Sequence, residues 1–135
     1  MATFNKFQPF VEAVAEKKHN LGSDQIVVAL TNVVPVNTNA ILTDITQVSY
    51  TNLSSRNVTT SASAQTSGTY KLTLTDLVLT ASGAVATFRY VVLYNDTATN
   101  DDLIGWWDYG SAVTLASGET FTVDFDGSAG VLTIV

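Results

Sequence analysis

After Gly22 the apolar residues recur with the two-residue period of a β-strand, whereas the three-to-four-residue period of a helix is confined to the residues before it. Successive strand side chains point to opposite faces, so a chain patterned this way has to bury a sheet face against another layer. Tyr70, Leu72 and Leu74 alternate with Lys71, Thr73 and Thr75. Leu77 and Leu79 then occupy the opposite parity, which predicts a bulge or bend near Asp76 in one long strand.

The helical period belongs to Phe4, Phe7, Phe10, Val11 and Val14, with Glu12, Glu16, Lys17 and Lys18 between or after them. Pro9 permits two starts, one with Asn5 as N-cap and one with the proline itself in first position. Lys17, Lys18 and His19 complement the dipole at the far end, where Asn20 or Gly22 can supply the left-handed cap. His19, the only histidine, is thereby expected at a helix end in a capping or surface role.

Breaker clusters divide the remainder. Ile26 to Thr31 forms a first strand, Pro35 to Thr38 a loop, Ile41 to Tyr50 a weaker mixed segment, and Asn57 to Ala64 a polar edge strand. Ser82 and Gly83 turn the chain into Val85 to Tyr94, whose nearly continuous apolar character predicts the most buried strand. A meander follows, with strands at Leu103 to Tyr109, Ala112 to Leu115, Thr120 to Asp126 and Val131 to Val135. The expected architecture is a mainly β, antiparallel sandwich or barrel-like domain with one N-terminal amphipathic helix. It spans 1–135 as a single domain, divided into a helical segment (1–22) and a β domain (23–135).

Composition narrows the chemistry. Cysteine is absent, which excludes disulfides, thiolate zinc sites and cysteine catalysis, and threonine alone outnumbers all charged residues together. A net charge of −6 with six scattered basic residues opposes a nucleic-acid backbone. The longest aliphatic runs are far short of the ~20 residues that cross a bilayer as a helix. Glu12 and Glu16 interrupt any secretory hydrophobic region, so the chain is expected to be unprocessed and made in a cytoplasm.

Candidate chemical groups are few, and no cofactor motif is present. No G-x-S-x-G context accompanies His19. Asp108, among Trp106, Trp107 and Tyr109, is the best candidate for a glycosidase carboxylate, but a chain this small with aspartates mostly in turns is expected not to be an enzyme. Asn95, Asp96, Asn100, Asp101 and Asp102 gather calcium-type oxygen donors without matching a loop signature. Asp124, Asp126 and Gly127 also fail the EF-hand spacing, so no metal is expected. Asn52, Asn57 and Asn95 begin glycosylation sequons that a chain rich in Asn, Ser and Thr produces by chance.

The densest aromatic segment is Gly105 to Gly110, GWWDYG. Alternation sends Trp106 and Asp108 to one face and Trp107 and Tyr109 to the other, so both faces want cover. Phe4, Phe7 and Phe10, with Trp106, Trp107 and Tyr109, are therefore the expected interface residues, the alternative being that the aromatic strand packs into the core under cover of the N-terminal helix.

Phe4 to Phe7 (FNKF), Ala15 to Asp24 (AEKKHNLGSD), Val28 to Asn32 (VALTN), Ala64 to Leu72 (AQTSGTYKL), Phe88 to Asp96 (FRYVVLYND), Leu103 to Gly110 (LIGWWDYG) and Gly118 to Gly127 (GETFTVDFDG) resemble small virion proteins of tailed bacteriophages. The resemblance covers nearly the whole chain and carries no catalytic motif. It implies a virion structural protein, made in the host cytoplasm, that partners the major capsid protein or other virion proteins. Within that class the small acidic β domain points to capsid decoration or cement, assembled as a homo-oligomer, most simply a trimer. A tail or neck component, or a carbohydrate- or receptor-binding module using Trp107 and Tyr109, is the alternative.

Overall fold

The computed structural model describes residues 2–135. In chain order it comprises β1 (Asn5–Lys6), α1 (Pro9–Ala15), β2 (Ile26–Thr31), a 3-10 turn (Leu42–Asp44), β3 (Asn57–Val58), β4 (Thr60–Thr66), β5 (Thr69–Leu74), β6 (Leu77–Thr80), β7 (Phe88–Asn95), β8 (Leu103–Val113), β9 (Thr120–Val123) and β10 (Leu132–Ile134). The mainly β, antiparallel, sandwich-like fold agrees with the sequence expectation. One sheet has the order β1-β8-β7-β2-β3, and facing it are the smaller sheets β10-β5-β4 and β6-β9. Leu72, Leu74, Leu79, Val123 and Leu132 from the smaller sheets meet Ile26, Val28, Leu30, Val91 and Leu93 in one core.

The large sheet is covered on its other face too. Val27, Ala29, Val92, Tyr94 and Leu103 pack there beneath Phe7 and Ile45, with Leu42 and Trp106 at the margin. All six residues of β2 are consequently buried, while β7 leaves Arg89 and Tyr90 half-exposed. This reverses the expectation that Val85 to Tyr94 is the most buried strand: both strands are central, but only β2 is capped on both faces along its full length. The cover is the segment expected to be mixed. Asp44 accepts the Ala40 and Ile41 N–H groups through Oδ2 and winds Leu42–Asp44 into the 3-10 turn. The Ile41/Asp102 and Thr31/Gln47 bridges fasten its two ends.

The N-terminal helix is shorter than its periodicity predicts. Asn5 and Lys6 pair with Trp106 and Gly105 of β8, and the Phe7 N–H donates to Ile104 O at 3.2 Å, so this stretch is sheet. A strand begins the chain before any helix does, and the proposed helical segment 1–22 contracts to α1. Pro9 takes the first helical position, the later of the two anticipated starts. The end also moves. Lys17 adopts φ +67° and the Lys17 and Lys18 N–H groups donate to Val14 O and Ala13 O, the two bonds of a Schellman motif. Lys17, not Asn20 or Gly22, is the left-handed cap, and His19 is released from the helix end into the interior.

Three strand expectations are also corrected. The parity slip at Asp76 is a passage between sheets, because β5 pairs with β4 and β10 while β6 pairs with β9. Asp76 Oδ1 fastens the crossing by accepting the Phe125 N–H at 2.9 Å. Gly110 does not end a strand: β8 continues to Val113, with residues 109–112 bulged between the Tyr90/Asp108 and Phe88/Val113 pairs. The C-terminal strands form no meander, since β9 and β10 return to β6 and β5. Asn57 to Ala64 does lie at sheet edges, as β3 of the large sheet and β4 of the three-stranded one.

Candidate functional site

Gly105 lets β1 lie close against β8. A Cβ there would come within 2.1 Å of the Phe4 ring and 2.9 Å of Asn5 O, so only glycine admits this approach. Phe4 is thereby laid beside Trp107, at 5.2 Å between ring centroids. Trp107 also meets Phe125 edge-on at 5.8 Å, and Tyr109 meets Phe121 at 5.1 Å. Trp107, Tyr109, Phe121 and Phe125, with Val91 and Val123, line an open groove of about 410 Å³ whose rim includes Asp124. Tyr109 remains 55% exposed, the most exposed of the aromatic side chains singled out in the sequence.

The predicted alternation holds across this strand. Trp106 lies on the opposite face, edge-on to Tyr90 at 6.0 Å, with its indole N–H donating to Asn37 Oδ1 at 3.2 Å. Asp108 shares that face and receives Arg89 through Nε and Nη2 at 2.9 and 3.1 Å, together with the Gly110 N–H at 2.8 Å. Arg89 and then Gly110 hold the Asp108 carboxyl below the usual carboxylate range. A glycosidase acid requires the reverse, a carboxyl kept protonated near neutrality. Asp108 is a bound counter-ion.

Of the six residues expected at an interface, Phe7 and Phe10 are core: Phe7 is fully buried in the second face of the large sheet, and Phe10 in the main cluster. Their three-residue spacing imitates a helix face because the chain changes from strand to helix between them. Phe4, Trp106 and Trp107 are half-buried, and Tyr109 is exposed.

A second site was hidden from the sequence. Asn95, at the end of β7, is fully buried. Its Oδ1 accepts the Thr97 and Ala98 N–H groups, which orients the amide. Its Nδ2 therefore donates to Asp24 Oδ2 at 2.7 Å and to His19 Nδ1 at 3.0 Å. With Nδ1 accepting, the neutral ring carries its proton on Nε2, which is buried with no hydrogen-bond partner. Burial lowers the His19 pKa, against the opposing pull of Asp102 and Asp24. This latch ties the segment after α1 to the loop after β7, beside an open cleft of about 910 Å³ that Ser63, Tyr70 and Asn100 also line. His19 is thus a buried tie, correcting its expected surface or capping role. The signal available in sequence was one histidine among aspartates and asparagines, with no spacing to connect it to a residue 76 positions away.

The oxygen-rich loop takes its shape from the same tie. Asn95 and Asp102 are buried, Asp96 is exposed, and Asp101 stands at φ +53°. Burial, then the neighbouring Asp96 and Asp102, raise the Asp101 pKa. Asp126 is a turn former whose Oδ1 accepts the Ser128 and Ala129 N–H groups. Among the described residues no three His, Asp or Glu side chains gather to hold a metal ion.

No protein-family model, curated protein or solved structure matches this chain.

Proposed function

We propose that the chain is a structural protein of a bacteriophage virion, a decoration or cement protein that docks on the capsid protein through the aromatic groove of β8 and β9. The observation that carries this reading is the groove itself: Tyr109 stays exposed beside Phe121 and Trp107, and aromatic side chains in an accessible recess are typical anchors of protein contacts. The resemblance to small virion proteins supports the assignment to a virion, and the small acidic β domain suits repetitive packing on its shell.

Shells assembled without this protein provide the test. The purified chain should bind them, and mature virions should contain hundreds of copies; a handful of copies would place it in the tail or neck instead. Tyr109→Ala should weaken shell binding by about tenfold or more, because an exposed anchor loses its contact. Its thermal melt should barely change. Trp107→Ala should also destabilise the fold, since its ring supports Phe4 and Phe125. Failure of the wild-type chain to bind shells, or unaltered binding by Tyr109→Ala, overturns the docking reading. Retained affinity of the isolated chain for a glycan would favour the carbohydrate alternative at the same groove.

A further inference from the structure

β4 is an edge strand without the usual protection. It is the longest strand that forms a sheet edge over its whole length, and its sequence, TSASAQT, contains no charge and no proline. Natural edges are ordinarily kept short, charged, interrupted or covered, because their free N–H and C=O groups recruit another strand. The β4 bulge is confined to Thr60–Ala62, which leaves 62–66 regular.

The hairpin geometry identifies the free groups. Ser67 and Gly68 both have positive φ, +51° and +84°, as in a type I′ turn, so Thr66 and Thr69 form its closing hydrogen-bonded pair. Antiparallel pairs alternate, so Ala64/Lys71 and Ala62/Thr73 are also hydrogen-bonded pairs, whereas the Ser63 and Gln65 backbone groups point away from β5. Among the described residues no other segment takes those backbone groups.

We propose that β4 pairs with β4 of a second copy, antiparallel about a two-fold axis at Ala64. This register sets Ser63 opposite Gln65 of the second copy, and Gln65 opposite its Ser63, and all four outward backbone pairs are used. It also sets Ala64 against Ala64 in the closely spaced position, where side chains approach most nearly and a small one fits. The self-complementary register points to a second copy of the chain as the occupant, and charge permits it. At a net charge of −6 two copies repel, yet from Ile45 to Tyr70 the only charged residue is Arg56. The strand is thus the neutral, self-complementary place for like to meet like. The pairing goes beyond shell docking and does not depend on it, and its unit is a dimer in place of the three-fold arrangement expected from sequence.

Opposite charges at the axis test the register. Sedimentation of the wild type over a concentration series reaching about 1 mM, the range of weak contacts, should show conversion of the 14.4 kDa monomer to dimer. Ala64→Lys and Ala64→Glu each set like charges face to face and should weaken self-association by about tenfold or more. Mixing the two variants should restore a dimer. Circular dichroism verifies that both retain the β fold. If either fails to fold, Gln65→Lys, which sets two like charges diagonally across the axis, should weaken self-association in its place, while unaltered association overturns the register. A wild type that stays monomeric throughout, or variants that associate as the wild type does, overturns the pairing. Shell binding can fail with dimerisation intact, and the reverse, so the two proposals stand or fall separately.

Discussion

Asn95 and His19 set the behaviour of the interior at single-residue resolution. A buried amide is tolerated when its donors and acceptor are all used, and Asn95 uses both Nδ2 hydrogens and accepts twice at Oδ1. Protonation of His19 Nδ1 would set one donor against another and charge a desolvated ring. The ring therefore binds a proton less readily in the fold than in the unfolded chain, where its pKa is near 6.5. The contribution of this site to stability is therefore complete above about pH 6.5 and is lost as the pH falls from there toward the depressed folded value. Asp24 and Asp102 reduce the loss without reversing it. Denaturant melts between pH 8 and 5 should show this decline, and His19→Gln should flatten it. The carboxyls of Asp108 and Asp126 are lowered by the hydrogen bonds they accept and titrate beneath that window. The raised Asp101 carboxyl acts with the opposite sign, favouring the fold as the pH falls. An equal slope in the variant would remove His19 as its source.

Individual elements owe their limits to local chemistry that their neighbours exploit. α1 ends at the Lys17 cap, and the early end returns the chain to the interior at His19. β1 has only two residues, yet it carries Phe4 to Trp107 and Phe7 to the opposite face of the large sheet. Gly105→Ala should therefore displace β1 from β8, because the added Cβ meets both the Phe4 ring and the Asn5 carbonyl. Overpacking of this kind costs about 1–3 kcal/mol. Hydrogen exchange should show loss of protection at Phe7, whose N–H bonds to Ile104 O, with the β2–β7 ladder retained. Unchanged exchange at Phe7 would show that β1 adapts to the methyl group.

The whole molecule is a large sheet closed on both faces, with a partial second layer on one side and the 3-10 segment on the other. Its loops are held by side-chain caps such as Asp44, Asp76, Asn95 and Asp126. Among the described residues no three His, Asp or Glu side chains come together around a cation. The melting temperature should therefore move by less than about 3 °C in excess EDTA, roughly the shift given by ~1 kcal/mol in a chain of this size. A larger drop would reassign the loop of Asp96, Asp101 and Asp102 as a calcium site.

Periodicity by itself determined the class of fold, because burial of a sheet face imposes alternation residue by residue. Tyr70 to Leu74 and the opposed faces of Trp106 and Trp107 were legible for that reason. Only the tertiary structure decided which strands meet, whether Asp76 bends one strand or carries the chain between sheets, and that Phe7 and Phe10 are core. Partner choice depends on contacts between distant residues, such as Asn5 with Trp106 or His19 with Asn95. Local pattern cannot encode them. The exposed side of Tyr109 and the open edge of β4 were invisible for the same physical reason: exposure is what remains after every other element has packed.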